Sequence, residues 1–297
     1  MTARDRLSTT GAWYFTEAMT AEDAAGFAKR IESLGYSTLW LPETVGRDPM
    51  AHIGYLSSHT STLTFATGIA SIFNRHPGFM KQSADTLAEQ TNDRFVLGMG
   101  VSHKPMVDGL RGLDYSKPLT SMREYIAAMD ASIYVAPPPA EPPARVIAAL
   151  GPKMLELAAE STDGAHPYWT TPEHTAMASE ILGPDKLLCV EQKVCLTTDK
   201  DAAYVAIDSA LGIYDSLPNY RNNWKRLGFT DDEIDQRAPR FVDAVVPWGE
   251  ADAIQARVDE HYAAGATHVC IQPLNPDPDA GTAPHWEAFE ALAPANA

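Results

Sequence analysis

Two hydrophobic patterns take turns along this chain: short, nearly continuous apolar runs, and longer stretches in which apolar residues recur with the period of a helix. The first suit strands buried on both faces, the second amphipathic helices. "GAWYF" precedes the helical "TAEDAAGFAKRIESLG", where Thr20 is a candidate N-cap, Asp23 an acid of the first turn and Gly35 the stop. "STLWLP" is followed by helix "PMAHIGYLSSHT". "LTFATGIAS" is followed by "PGFMKQSADTLAEQT", with Pro77 at a helix start, and "FVLGMG" by a helix near "PLTSMREYIAAMDASIYV". The proline-rich "APPPAEPPA" suits neither helix nor central strand and predicts a stiff surface connection. The alternation resumes with "RVIAAL" and "PKMLELAAES", then "GAHPYW" and "TPEHTAMASEIL", then "KLLCVEQKVCL". A helical section from about Asp199 to Arg237, interrupted near "SLPNY", leads to helix "GEADAIQARVDEHYAAG" and a last strand, "THVCIQPL".

This series contains eight strands, each but the last followed by helix, which predicts a parallel sheet closed into a (β/α)8 TIM barrel. The expected organisation is a single domain over residues 1–297, with a helical insertion at about 199–240 before the last strand. An open doubly wound sheet is the alternative, but its phosphate fingerprint is missing: "GMGVSH" supplies G-x-G and then His103 in place of a third glycine.

The length of 297 residues suits one such barrel, which typically takes ~250 residues or more. Three cysteines, an odd number without C-x-x-C spacing, argue against a disulfide framework or zinc site and fit a reducing cytoplasm. The start of the chain lacks the pattern of a signal peptide, and no run approaches the length of a membrane span. The net charge of −16 repels phosphate backbones and anionic lipid, so neither nucleic acid nor membrane is an expected partner.

In barrels of this kind the active site lies at the carboxyl ends of the strands. That places Trp13, Tyr14, Glu43, residues Gly68 to Asn74, Gly100 to His103, Gly151 to Lys153, His166 to Trp169 and Gln272 among the candidates. The motifs of zinc peptidases, nucleophile-elbow hydrolases and P-loop enzymes are absent. In "ALGPKMLELA", Gly151 takes the turn, Pro152 the first helical position and Lys153 the first turn, which makes either a ready anion site or a plain strand-to-helix turn. In "GMGVSHKP", Gly98 and Gly100 would let a flat ligand approach the backbone, and Ser102 and His103 add polar groups. Glu43 ends an apolar strand, as a functional acceptor or as a cap. Arg221, Lys225 and Arg226 around Trp224 form a solvated face or contact an acidic ligand.

The segments "LGYSTLWLPE", "TGIASIFNRHP", "LAEQTNDRFVLGMGVSH", "ALGPKMLELAAESTDGAHPYW" and "AGATHVCIQPL" together resemble the luciferase-like monooxygenase superfamily, most closely its probable F420-dependent oxidoreductases. The resemblance runs from about Gly11 to Leu274. It implies a (β/α)8 barrel, often a homodimer, that binds the deazaflavin F420, or FMN in other members, and acts on a small molecule. It also implies a bulge in the third strand with a non-proline cis peptide at Gly68–Ile69 behind the ring. Glu43 falls where relatives place an acid near the ring carbonyl, Gly100, Val101, Ser102 and His103 at the fourth strand end, and Gly151, Pro152 and Lys153 at the cofactor phosphate. Sugar-phosphate dehydrogenases of the superfamily carry a histidine and a glutamate where this chain has Thr44 and His103. That departure makes His103 the expected proton donor or acceptor, with His166 beside it. No metal is expected.

Overall fold

The computed structural model describes residues 3–7, 10–212 and 214–294. Eight strands form the barrel: β1 Gly11–Trp13, β2 Thr38–Leu41, β3 Thr64–Thr67, β4 Phe95–Gly100, β5 Ala144–Ile147, β6 Gly164–Ala165, β7 Leu187–Leu196 and β8 His268–Pro273. Each pairs in parallel with the next, and β8 pairs with both β7 and β1, so the sheet closes. Six helices alternate with the first seven strands: α1 Ala21–Ser33, α2 Pro49–Ser57, α3 Pro77–Gln90, α4 Pro118–Asp130, α5 Pro152–Ser161 and α6 Pro172–Leu182. Four more follow β7, namely α7 Lys200–Leu211, α8 Pro218–Arg226, α9 Asp231–Asp235 and α10 Pro239–Val245, before α11 Ala251–Ala263 and, after β8, α12 Trp286–Ala291.

Local chemistry sets most boundaries. The Thr20 side chain accepts from Asp23 N, Asp48 caps α2 by accepting from Ala51 N, and Pro77 opens α3 behind an accepting His76 ring nitrogen. Three boundaries depart from the periodic reading. The run "GAHPYW" pairs only at Gly164–Ala165, because Pro167 has no N–H to offer a ladder and Trp169 takes a left-handed φ of 58°. The inserted helices continue past residue 240: Pro239 starts a new helix whose Phe241, Val242 and Val245 are buried. Helix α4 stops at Asp130, leaving Ile133 and Val135 exposed.

The barrel interior is filled by Trp13, Trp40, Ala66, Val96, Val146, Cys189 and Cys270, closed from below by Leu7. Several of its polar atoms pair within it. Trp40 Nε1 donates to His268 Nε2 (3.0 Å), so the other His268 nitrogen carries the proton toward Leu7 O (3.2 Å). His166 lies flat on Trp40, ring centres 4.2 Å apart, and donates from Nδ1 to Cys189 O (2.7 Å). A separate cluster ties Trp169, Leu217, Trp224, Phe241 and Val245 together, seating the inserted helices over the end of the barrel where β6 and β7 finish. The three cysteines are buried and unbridged. Among the described residues no helix is long and apolar enough to cross a membrane, and no group of three or more His, Cys, Asp or Glu side chains could hold a metal ion.

Burial keeps several histidines uncharged. His52, His166 and His174 are pushed down to about 4, and His261 to about 3, each mainly because the ring has left water. In the unfolded chain these rings titrate near their ordinary value, so between pH 6.5 and 4 the unfolded state binds more protons than the folded one. The stability they contribute is present above pH 6.5 and is lost as pH falls toward 4, at ~1.4 kcal/mol for each unit of difference per group. Thermal unfolding followed by circular dichroism should therefore show a midpoint that drops steadily from pH 6.5 to 4.5. A midpoint unchanged over that range would contradict the assignment of neutral buried rings.

Candidate active site

At the carboxyl end of β3 the backbone leaves the ladder for two residues. The Gly68–Ile69 peptide is cis, and pairing then resumes at Ala70–Ser71, opposite Met99 and Gly100 of β4. The bulge is held from both sides: Gly68 N donates to Leu41 O (2.8 Å), Glu43 N to Ile69 O (3.2 Å) and Ile72 N to Gly100 O (3.0 Å). Only glycine fits at position 68, because a Cβ there would lie 2.6 Å from Trp13 Nε1 and 3.2 Å from His166 Nε2. A Cβ on Gly100 would strike the Ile69 side chain at 2.4 Å, so the bulge also needs a bare backbone on β4. Trp13 Nε1 and His166 Nε2, both buried here, have no hydrogen-bond partner within the protein.

Glu43 stands at the end of β2 as expected, but its carboxylate is fully engaged. Arg75 donates to Oε1 (2.6 Å) and to Oε2 (3.1 Å), and Ser71 N donates to Oε2 (2.6 Å). Arg75 also reaches Asp48 (2.7 Å). This bidentate pair ties the end of β2 to the segment that follows the bulge.

His103 follows β4 through Val101 and Ser102, the latter at a φ of 55°. The Ser102 carbonyl accepts from the Tyr115 hydroxyl (3.0 Å). The His103 ring packs near Tyr214 and Tyr220 from the insertion, at centroid distances of 6.2 and 5.6 Å, and its Nδ1 is buried without a partner. Desolvation pushes its pKa down to about 4, so it is a neutral base at neutral pH. His166, by contrast, sits inside the barrel beneath Gly68, not on the rim.

The start of α5 has no side-chain cap. Met154 N and Leu155 N donate to Gly151 O (3.0 and 3.1 Å), and the positive end of the helix dipole lies at this turn. Lys153 is exposed there. The basic segment of the insertion divides: Arg221 pairs with Asp231 and Asp235, and Lys225 with Asp231, whereas Arg226 turns toward α5. Its Nη2 lies 3.7 Å from where a Cβ on Gly151 would stand.

Periodic reading did not single out Glu191 and Lys193 of β7. Lys193 Nζ donates to Glu191 Oε1 (3.1 Å) and lies 3.5 Å from the centre of the Tyr168 ring and 4.0 Å from that of Trp169. Glu191 Oε2 accepts from Trp169 N (3.3 Å), and Tyr168 donates to Gln272 Oε1 (3.0 Å). Burial pulls Lys193 down to about 8 and pushes Glu191 up, while their mutual attraction opposes both shifts. The available signal was two charges two residues apart in the apolar "CVEQKVC", hence on one strand face.

A family model described as luciferase-like monooxygenase matches residues 5–268. A Mycobacterium tuberculosis protein whose name assigns it provisionally as a coenzyme F420-dependent oxidoreductase is 25% identical, over 86% of this chain and 91% of its own length. A 5,10-methylenetetrahydromethanopterin reductase from Methanolobus tindarius is 28% identical over 60% of this chain and 62% of its own. Among solved structures, an F420-dependent secondary alcohol dehydrogenase in complex with an F420-acetone adduct superposes with a TM-score of 0.74 at 16% identity, covering 96% of this chain and 99% of that one. The oxygenating constituent of a Pseudomonas putida 3,6-diketocamphane monooxygenase, in complex with FMN, gives the same TM-score of 0.74 at 14% identity, with 97% of each chain covered. These superpositions establish the fold, and the family match extends over the first seven strands, the bulge and the start of α5: the chain belongs to the luciferase-like monooxygenase family.

Proposed function

We propose that the chain is an F420-dependent oxidoreductase that transfers hydride between deazaflavin C5 and a small organic substrate. The observation that carries this reading is the coincidence, at one end of the barrel, of a glycine-lined bulge and an uncapped helix start faced by Arg226. A flat ring with an anionic tail matches that pairing. The fold is equally similar to F420 and FMN proteins, but the name of the Mycobacterium tuberculosis relative favours the deazaflavin.

Gly68, Ile69, Gly100, Val101 and Ser102 would hold the ring, and Gly151, Pro152, Lys153 and Arg226 the phosphate. When bound, the deazaflavin supplies the hydride acceptor or donor. The protein's part is to exclude water, orient the ring and move one proton. His103 has an unpartnered ring nitrogen and is neutral above about pH 4, so it suits the accepting role, taking the hydroxyl proton of an alcohol as hydride leaves its carbon. His166 backs the bulge from below, and Glu43, through Arg75 and Ser71, fixes the bulge from the side.

Titrating the purified protein with F420 and with FMN, and following the quenching of each ligand's fluorescence, tests the cofactor directly. F420 should bind with the higher affinity. Preference for FMN, with oxygen uptake when it is reduced, would make the chain a flavin monooxygenase instead. His103→Ala should lower kcat by about a hundredfold while F420 affinity changes little, the usual scale for losing one general acid–base group. Equal losses in both would make His103 a binding residue. Lys153→Ala and Arg226→Ala should each weaken F420 by about tenfold while leaving a phosphate-free deazaflavin unaffected. Equal weakening of both ligands would move the phosphate away from α5.

A further inference from the structure

Inward positions of barrel strands are ordinarily filled by branched apolar side chains. Glu191 and Lys193 break that rule with side chains 0% and 2% exposed. A buried ion pair is poor material for stability, since an apolar pair of similar volume generally packs at least as well. Its contacts all lead to one place. The Lys193 ammonium lies against the faces of Tyr168 and Trp169, and the second Glu191 oxygen holds the Trp169 N–H while that residue is in a left-handed conformation. The Trp169 carbonyl in turn accepts from Trp224 Nε1 of α8 (3.0 Å). On its other side the Tyr168 ring lies 5.3 Å from Trp13, the ring that fills the space over Gly68. One ion pair on β7 therefore connects the bulge to the inserted helices.

We propose that Lys193 is a positioning residue that, with Glu191, holds Tyr168 and Trp169 as the wall of the cofactor-ring pocket, and that loss of its proton releases this wall. The assignment rests on the deazaflavin reading above for the identity of the ring. Lys193 forms no part of the proton-transfer chemistry. Its ammonium supplies the cation that both rings face and the counter-charge that Glu191 requires.

The groups facing the pair leave it a clear pH window. Tyr168 from the loop after β6 and Tyr214 and Tyr220 from the insertion are all raised by burial above their ordinary value, and so are Cys189 on β7 and Cys270 on β8. His166 is pushed down to about 4. Between pH 7 and 9 the pair alone is placed to exchange a proton, with Lys193 near 8.

Tryptophan emission of the ligand-free 297-residue chain, followed from about pH 6.5 to 9.5, reads the wall without any cofactor. F420 affinity at the same pH values reads its use. In the wild type the emission should change with a midpoint near pH 8, and F420 binding should weaken by about tenfold across that midpoint. Lys193→Arg, which keeps its charge throughout, should abolish both transitions and retain the tighter binding. Lys193→Met alone strands a buried carboxylate and can unfold the chain, so the double variant Glu191→Gln/Lys193→Met supplies the neutral comparison. It should melt no lower than the wild type, bind F420 about tenfold more weakly and show no transition near pH 8.

An emission transition that is missing from the wild type, or that persists in Lys193→Arg, overturns the assignment. So does an emission transition without a matching change in affinity, or a double variant that binds like the wild type, which would make the pair merely structural. If neither F420 nor FMN binds the wild type, yet the emission transition disappears in Lys193→Arg, the deazaflavin reading fails while the role of the pair in holding the wall stands.

Discussion

Eight parallel strands that close on themselves leave a single interior, and every inward side chain must share it. Here that space holds two tryptophans and two histidines among small and branched residues. Water cannot reach them, so the Trp40–His268–Leu7 chain and the His166–Cys189 bond have to satisfy polar atoms internally. The same crowding explains the glycines at the mouth. Gly98 lies where a Cβ would stand 1.9 Å from Thr67 O, and Gly68 gives its side-chain space to the Trp13 ring. Once Trp13 is in place, the course of the chain after β3 is tightly restricted.

Two ion pairs, one largely and one fully buried, then fix the walls on different sides of the mouth. Glu43 and Arg75 join the end of β2 to the bulge, and Glu191 and Lys193 join β7 to the loop after β6. Neither is a good bargain for folding, because desolvating both charges cancels much of their attraction. Both make geometry specific instead: Arg75 grips two carboxylate oxygens at once, and Lys193 is held between a carboxylate and two ring faces.

The inserted helices α7 to α10 belong to the site as much as to the scaffold. They bring Tyr214 and Tyr220 to His103, Trp224 to the Trp169 carbonyl and Arg226 to the start of α5. A barrel shared by F420 and FMN proteins leaves the choice of ligand to such added segments and to the loops at the strand ends. In this chain the insertion supplies both apolar rings and a guanidinium beside the start of α5.

The sequence by itself determined the eight-strand order, most helix starts and the glycines of the mouth, because these follow from local causes: periodicity, caps, proline and the absence of a Cβ. It located His103 and the Gly151 turn through the rule that barrel sites lie at strand ends. Tertiary structure alone decided which of the candidates carry free groups. Glu43 lost its free carboxylate to Arg75, a partner 32 residues away, and His166 went beneath the bulge, not onto the rim. Only closure of the barrel set Lys193 against Tyr168 and Trp169, and only the packing of α8 turned Arg226 toward Gly151 while Arg221 and Lys225 paired with Asp231. Partners far apart in sequence leave no periodic trace, since what selects them is the space and charge left after the strands have closed.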